Sequence, residues 1–231
     1  MATNINTLVS TVLQTISDLR GESSTNTDAS RIRAVSRANQ DFALRKFWKF
    51  YLLKDQSVAG SGVNDYTVGS TTEPMRPKGL CEVFVSNGST QEEDERRGIV
   101  DFNVYKNLYN RNNTADMVYE WYDKANDLWK MHINPAPAAT DTIYYSYYWQ
   151  PPTRTLTTEY CLCPNPRIIS LLALADIYAG EDEGDNSKEC KNEAEMLIAE
   201  MIAVDNTPAQ NQIYAMGAIE NSISAHGIGS Y

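Results

Sequence analysis

The sequence predicts an α+β fold in which a helical bundle of about four helices carries an inserted β-rich module and an extended C-terminal tail. Apolar residues recur at helical spacing near both ends of the chain, whereas the middle alternates like strands and is punctuated by glycine. The last segment is low in charge. These observations assign residues 1–53 and 151–205 to the helical bundle body, 54–150 to the β-rich module and 206–231 to the tail.

Composition and charge limit the classes of protein to which the chain can belong. Its 231 residues are 42% hydrophobic, which suffices for a substantial core. No apolar run approaches the ~20 residues of a membrane span, and the N-terminus does not read as a secretory signal. We therefore expect a protein made in a cytoplasm, with four reduced cysteines. A formal charge of -10 argues against tight binding to DNA phosphates, although DNA can still slide past such a surface.

Two helices are predicted before the β-rich module. The first covers residues 4–19, with Thr3 as a candidate N-cap and Gly21 placed to end the helix. The second begins near Asp28 and continues to about Leu52. The apolar residues at helical spacing are Ile5, Leu8, Val12, Ile16 and Leu19 in the first helix, and Ile32, Val35, Ala38 and Phe42 in the second.

The middle of the chain reads as strands joined by turns. Alternation predicts strands at residues 65–68, 80–85, 117–122, 128–133 and 143–149, and apolar spacing predicts a short helix within 99–109. Asn87-Gly88 is a hairpin-type turn signal.

The strand at 143–149 is the most informative stretch. One face would hold Ile143, Tyr145, Tyr147 and Trp149, and the other Tyr144, Ser146 and Tyr148. Because a soluble sheet normally has one polar face, a second aromatic face needs a cover from elsewhere. The strand can be buried in a two-layer module, form a subunit contact, or offer a platform for sugars or bases. We expect Tyr144 and Tyr148 to face a neighbouring subunit, because the other set makes the larger core face.

Helical spacing returns after the β-rich module. Pro166 suits the first turn of a third helix, and a fourth follows the acidic loop 180–185. Residues 181–205 hold nine acids against two lysines, which is typical of a solvated surface. The tail has spaced apolar residues and little charge, a composition that can fold on a partner.

The sequence predicts no catalytic, cofactor or metal site. Its two histidines, His132 and His226, lie in no recognisable nucleophile motif. The pair Cys161 and Cys163 has no second pair of ligands at the spacing of a structural zinc site. We therefore predict a non-enzymatic protein.

Several segments follow one another in a recognisable order. A helix ends in the aromatic cluster Phe-Trp-Lys-Phe-Tyr at 47–51, and a Tyr-Thr-Val strand follows at 66–68. The element His-Ile-Asn-Pro-Ala-Pro at 132–137 then precedes the tyrosine-rich strand, and 156–166 leads into a helix pair whose second member is rich in Glu. This order, across residues 5 to 204, resembles the head–tail adaptor (neck or connector) proteins of tailed bacteriophages. The β insertion is larger than in the smallest helical adaptors.

The resemblance implies a homo-oligomeric ring, with twelve copies expected, docked beneath the portal protein at the head–tail junction of the virion. Such a ring extends the DNA channel, lets DNA pass without sequence-specific binding, and is the platform for the next neck or tail protein. It has no catalytic residues and no cofactor.

The resemblance also suggests roles for two surfaces. A C-terminal tail that docks on the portal would use Ile213, Tyr214, Met216, Ile219, Ile223 and Tyr231. An acidic surface facing the channel or its outer rim would include Glu181, Asp182, Glu183, Glu193 and Glu200.

Three other interpretations stay open from the sequence. The chain can be another structural protein of a tail or baseplate. It can be a carbohydrate- or receptor-binding β module that uses Trp121, Trp129, Tyr147 and Trp149. An unrecognised hydrolase is the third.

Overall fold

The computed structural model describes residues 6–87, 95–111 and 116–206, and these residues form a mixed α+β structure, which confirms the predicted class. The helices are α1 (Val9–Leu19), α2 (Ala29–Arg45), α3 (Phe102–Arg111), α4 (Pro166–Gly180) and α5 (Gly184–Asn206). The strands are β1 (Asn6–Leu8), β2 (Leu52–Ala59), β3 (Asp65–Val68), β4 (Met75–Ser86), β5 (Glu95–Arg96), β6 (Gly98–Ile99), β7 (Met117–Asp123), β8 (Leu128–Asn134), β9 (Thr142–Trp149) and β10 (Tyr160–Leu162).

The chain divides into two compact units. The helical unit comprises Met1–Ala38 and Thr155–Tyr231, and the β unit comprises Asn39–Arg154. The predicted β-rich module began only at residue 54. The β unit starts earlier because the aromatic side chains that follow α2 pack inside it: Trp48 and Tyr51 are buried, and the Tyr51 ring lies 5.3 Å from that of Trp149.

In the helical unit, α1 packs against α4, and α4 packs against α5. Most of α4 is buried, from Ile168 to Ala175, so this helix forms the centre of the core. The helix α2 begins in this unit and ends in the β unit. The arrangement of four helices as one bundle, and the tail beyond Asn206, stay predictions.

The first helix begins later than predicted, at Val9 rather than near residue 4. Strand β1 precedes it and pairs antiparallel with β10, with Asn6 opposite Leu162. The first helical N–H groups, which need partners from outside the helix, donate to loop carbonyls: Val9 to Glu159 at 2.9 Å and Ser10 to Thr157 at 3.0 Å. Contacts that are distant in sequence therefore replace the N-cap predicted from local residues.

Two other helix ends follow their local signals. Pro166 opens α4 as predicted, and the side chain of Asn165 accepts a hydrogen bond from the N–H of Arg167 at 3.1 Å. Gly21 follows α1 with a φ of 69°, a left-handed conformation that glycine adopts freely.

The β unit contains two four-stranded sheets. The first has the strand order β2-β9-β4-β5 and the second β3-β8-β7-β6; all their pairs are antiparallel except β6 with β7. Alternate residues on one face of each sheet are buried: Val83, Val85, Ile143 and Tyr147 in the first, and Tyr66, Val68, Val118, Met131 and Ile133 in the second. We call these the inner faces, and the opposite faces the outer faces.

The inner faces meet along β4, which lies against β6 and β7. Glu120, on the inner face of β7, accepts hydrogen bonds from the backbone N–H groups of Leu80, at 3.3 Å, and Lys78. Strand β4 bulges here, with Lys78 at a φ of 56°. Burial raises the pKa of Glu120, whereas the backbone donors lower it.

The helix α2 ends at Arg45, earlier than the predicted end near Leu52, because Arg76 of β4 binds the carbonyl groups at its end. The Arg76 Nη1 atom donates to the carbonyl oxygens of Lys46 at 2.9 Å and Ala43 at 3.1 Å. The guanidinium also lies over the Phe47 ring, 4.0 Å from its centroid. A cation at the negative end of the helix dipole satisfies carbonyls that the helix leaves without partners.

Replacement of Arg76 by Met should lower the free energy of unfolding by about 2–3 kcal/mol, because two charge-assisted hydrogen bonds are lost while the side-chain volume is kept. Urea unfolding followed by far-UV circular dichroism measures this change. Arg33→Met, at an exposed position of α2, is the matched control and should stay within about 0.5 kcal/mol of the unmodified chain. Equal effects of the two substitutions would contradict the capping role.

A second charged cluster holds the loop between α1 and α2. Arg31 is buried and donates from Nη1 and Nη2 to the Glu22 carboxylate, at 2.7 and 2.5 Å. Ser17 donates to the same carboxylate at 3.0 Å, and Arg20 pairs with it at 2.9 Å. The hydrogen bonds from Arg31 are the main reason why the pKa of Glu22 falls to about 2.

The Glu22 cluster should make stability dependent on acid pH. The unfolded chain binds a proton at Glu22 near pH 4.3. The folded-state pKa is lower, so the stabilisation is present above about pH 4.3 and is lost as the pH falls through about 2. Glu22→Gln should cost about 1–2 kcal/mol at neutral pH and flatten this acid dependence, whereas Glu200→Gln should change neither. Urea midpoints measured from pH 2 to 7 test this, and an unchanged pH profile for Glu22→Gln would exclude the cluster as its source.

Candidate functional site

Strand β9 has one buried and one partly open face. Ile143, Tyr147 and Trp149 are buried on the inner side, as the alternation predicted. On the outer side Tyr144 is 42% exposed. Tyr148 is half-buried because the Phe47 ring covers it, with the ring centroids 4.9 Å apart. The cover over Tyr148 thus comes from the same chain, and Tyr144 is the predicted contact residue that remains open.

The neighbours of Tyr144 extend this open area across the first sheet. Phe84 of β4 lies directly opposite Tyr144 in the strand register. The next strand places Arg96 opposite Phe84, with its guanidinium 5.9 Å from the ring centroid. Arg96 also lies 3.7 Å from a carboxylate oxygen of Glu82, and both side chains are largely exposed. We call Glu82, Phe84, Arg96 and Tyr144 the sheet patch.

The outer face of the second sheet is covered by α3 through aromatic rings. Tyr105 contacts Tyr119 at 4.5 Å and His132 at 5.3 Å between ring centroids, and Phe102 contacts Tyr119 at 5.2 Å. Tyr119 also stacks on His132 at 4.9 Å, which is the residue opposite it in the sheet. Aromatic pairs at these distances add to the stabilisation from burial alone.

A hydrogen-bonded chain lies beneath α3. His132 Nδ1 is 2.8 Å from Asp65 Oδ1, and His132 Nε2 is 3.1 Å from the Tyr105 hydroxyl. Trp121 Nε1 donates to the same Asp65 oxygen at 3.2 Å. A carboxylate that orients an imidazole is also found in general-base catalysis. Here the imidazole is hydrogen-bonded to the hydroxyl of Tyr105. That residue is only 9% exposed, and burial raises its pKa, so this series of hydrogen bonds anchors α3 on the sheet.

Exposed apolar residues flank the buried Tyr105 on α3, and two of them contact aromatic rings beside it: Phe102 lies against Tyr119 and Tyr109 stacks on Tyr105. Phe102 is 55% exposed and Val104 is 45% exposed. Leu108 and Tyr109 are also exposed, and Lys106 is the one charged residue within positions 102–110. We call Phe102, Val104, Leu108 and Tyr109 the helix patch. Sequence reasoning missed this patch, although Val104 and Leu108 have the i, i+4 spacing of a second apolar helix side.

The predicted acidic residues lie around the turn between α4 and α5 and along α5. Glu181 accepts a hydrogen bond from Arg20 at 2.8 Å, and Glu193 accepts one from Arg167 at 2.8 Å. Both carboxylates therefore link elements within the helical unit. Glu183 accepts from Asn186 at 2.7 Å, Asp182 occupies the left-handed region with a φ of 60°, and Glu200 is exposed.

Other predicted residues have different placements. The tail residues Ile213, Tyr214, Met216, Ile219, Ile223 and Tyr231 lie outside the described residues. The four aromatic residues considered for carbohydrate binding do not form one open surface. Tyr147 is 3% and Trp149 8% exposed on the inner face, whereas Trp121 belongs to the outer face of the other sheet.

The described residues include no candidate metal site and no candidate membrane span. In residues 6–87, 95–111 and 116–206, no three His, Cys, Asp or Glu side chains lie where they could hold a metal ion. Cys161 and Cys163 are buried, and burial raises the pKa of the Cys163 thiol to about 12. No helix in these ranges combines the length and apolarity that a membrane span requires.

A comparison of the sequence with known protein families and with curated proteins finds no match. Three groups of described residues bear on function. These are the sheet patch, the helix patch and the acidic residues of the helical unit.

Replacement of Tyr105 by Phe should loosen α3, because it removes the hydroxyl that joins the helix to His132. We expect a loss of about 1 kcal/mol in unfolding free energy, with faster hydrogen exchange concentrated in α3. Tyr109→Phe is the matched control, since Tyr109 is 44% exposed and its ring contacts that of Tyr105 on the same helix. If exchange in α3 rises equally in both variants, the hydrogen-bonded chain is not the anchor.

Proposed function

We propose that this protein is a structural head–tail adaptor of a tailed bacteriophage. In this proposal it forms a homo-oligomeric ring, of twelve copies, beneath the portal protein at the head–tail junction of the virion. The ring extends the DNA channel and offers the platform for the next neck or tail protein. DNA passes through without sequence-specific binding, and the protein carries out no catalysis.

The observation that carries the proposal is the exposed aromatic and aliphatic side chains of the β unit, namely Tyr144 in the sheet patch and the four residues of the helix patch. Large exposed apolar side chains that cluster, rather than scatter, mark surfaces for association. The helix patch and the sheet patch both include aromatic residues, which are enriched at subunit contacts. The hydrogen-bonded chain at His132 anchors the helix patch instead of serving an open reaction site. An assembly role therefore fits these residues better than an enzymatic one.

The finer parts of the proposal concern the helical unit and the tail. Four helices form the body, and its acidic residues, including Glu183 and Glu200, face the channel or its outer rim. The net charge of -10 supports a wall that repels DNA phosphates. The tail of residues 206–231 leaves the body and docks on the portal protein through its spaced apolar residues.

Native mass spectrometry of the purified chain, alone and mixed with the portal protein of the same phage, tests the proposal. We expect a closed oligomer on the portal, with one defined copy number. Ending the chain at Asp205 should weaken portal attachment if the tail is the anchor. A chain that stays monomeric in both samples and never joins portal particles would rule out the adaptor function.

A further inference from the structure

We propose that a bulge in strand β4 acts as a latch that determines whether the Phe47 ring covers Tyr148 or leaves it open on the outer face of the first sheet. With the cover in place, Tyr148 is half-buried while Tyr144 is 42% exposed. With the cover moved away, Tyr148 joins the sheet patch. The latch therefore sets how much aromatic surface this face presents. It lies within the β unit and does not depend on the adaptor function.

The bulge stands directly opposite Tyr148. Met75 of β4 pairs with Trp149 of β9. The next pair joins Leu80 to Tyr147. One residue of β9 lies between these pairs, whereas β4 places four there, which we call the bulge: Arg76, Pro77, Lys78 and Gly79. Because an insertion of this kind disrupts the ladder of strand pairing, its conformation has to be fixed by other contacts.

The second sheet holds the bulge from the inner side. The Glu120 carboxylate of β7 accepts hydrogen bonds from the backbone N–H groups of Lys78 and, at 3.3 Å, Leu80. Lys78 has a φ of 56°, a left-handed conformation that costs a lysine free energy. A carboxylate that binds two backbone donors offsets this cost. The conformation of the bulge therefore depends on a residue of the other sheet.

Close packing of Gly79 ties the bulge to the strand that carries Tyr148. A Cβ atom at position 79 would lie 2.6 Å from the carbonyl oxygen of Tyr148 and 2.6 Å from that of Arg76. It would also lie 3.0 Å from the Arg76 Cγ atom. Glycine is the residue that permits so close an approach of backbone to backbone. Any larger residue would shift the bulge and, with it, the base of the Arg76 side chain.

Arg76 carries the position of the bulge to the outer face. Its Nη1 atom donates to the carbonyl oxygens of Lys46 at 2.9 Å and Ala43 at 3.1 Å. Its guanidinium lies 4.0 Å from the centroid of the Phe47 ring, which in turn lies 4.9 Å from that of Tyr148. Phe47 is 41% exposed, so these contacts hold only part of the ring. The cover over Tyr148 therefore depends on where the bulge places Arg76.

Two features allow the cover to open. The Nε atom of Arg76 is buried and has no hydrogen-bond partner among the described residues, so the closed arrangement leaves one donor unsatisfied. Trp48, which follows Phe47, is buried and donates from Nε1 to the carbonyl oxygen of Phe42 at 3.0 Å. The chain is thus anchored directly after Phe47, and the ring can move while the core stays intact. Segments with few buried contacts open at low free-energy cost.

Nitration of tyrosines by tetranitromethane, mapped by mass spectrometry of peptides, measures how open each ring is. In the unmodified chain Tyr144 should react faster than Tyr148, and Tyr147, which is 3% exposed, should react least. Gly79→Ala changes no residue of the cover but forces the bulge away from β9. It should raise the rate at Tyr148 about fivefold, the factor expected for the loss of one aromatic contact, and leave Tyr144 and Tyr147 unchanged.

Two further variants show whether the bulge acts through the ring. Gly98→Ala is the matched control, since a Cβ atom there would meet only the carbonyl oxygen of Asp116, at an ordinary 3.6 Å, and should leave all three rates unchanged. Phe47→Ala removes the cover itself and should raise the Tyr148 rate as much as Gly79→Ala does. The two substitutions combined should give no further increase, because both act on the same contact.

Glu120→Gln tests the inner side of the latch with a side chain of nearly the same shape. It should also raise the Tyr148 rate, because an amide offers one acceptor oxygen where the carboxylate offers two. A Tyr148 rate that stays unchanged in both Gly79→Ala and Glu120→Gln would overturn the latch. Equal increases at Tyr148 and Tyr147 would overturn it as well, since the bulge would then hold the whole sheet. Additive effects of Gly79→Ala and Phe47→Ala would exclude action through the ring.

Discussion

The guanidinium of Arg76 is the interaction on which the arrangement of the β unit depends. It donates hydrogen bonds to the carbonyl oxygens of Ala43, in the last turn of α2, and of Lys46, just after it, where the helix ends and the chain continues toward the sheets. The same guanidinium holds the Phe47 ring, and Phe47 in turn covers Tyr148. Arg76 therefore positions the ring that covers the Tyr148 end of this outer face. The Tyr144 end stays open because nothing among the described residues reaches it in the way that Phe47 reaches Tyr148.

The outer face of the second sheet is covered by a helix. Its outer face would expose Tyr119 and His132, but α3 covers both through Tyr105 and the hydrogen bonds that lead to Asp65. The helix that covers this face keeps apolar side chains partly exposed on the two flanks beside Tyr105. The outer faces of both sheets are thus partly covered, and smaller exposed patches remain.

The contrast between local and distant contacts explains what could be predicted from the sequence. Alternation identified β7, β8 and β9, and the proline signal at Pro166 identified the start of α4, because these features depend on neighbouring residues. The end of α2 could not be predicted, because Phe47 and Trp48 extend its apolar pattern. The residue that binds the carbonyls at this end, Arg76, comes 31 positions after Arg45 in the sequence. The pairing of β1 with β10 was missed for the same reason. In the candidate site Tyr144 was predicted as an open residue, but the cover over Tyr148 and the role of α3 required the fold.

Edge strands give a further reason for association through faces. Strand β2 is the last strand of the first sheet, and an exposed edge normally invites another strand to pair. This edge is interrupted by an irregularity between Leu53 and Gln56, where Asp55 adopts a φ of 55°. The charged side chains of Lys54 and Asp55 are exposed at the same place. A bulge and charges at a sheet edge disfavour strand addition, so the β2 edge does not readily pair with a strand of another chain.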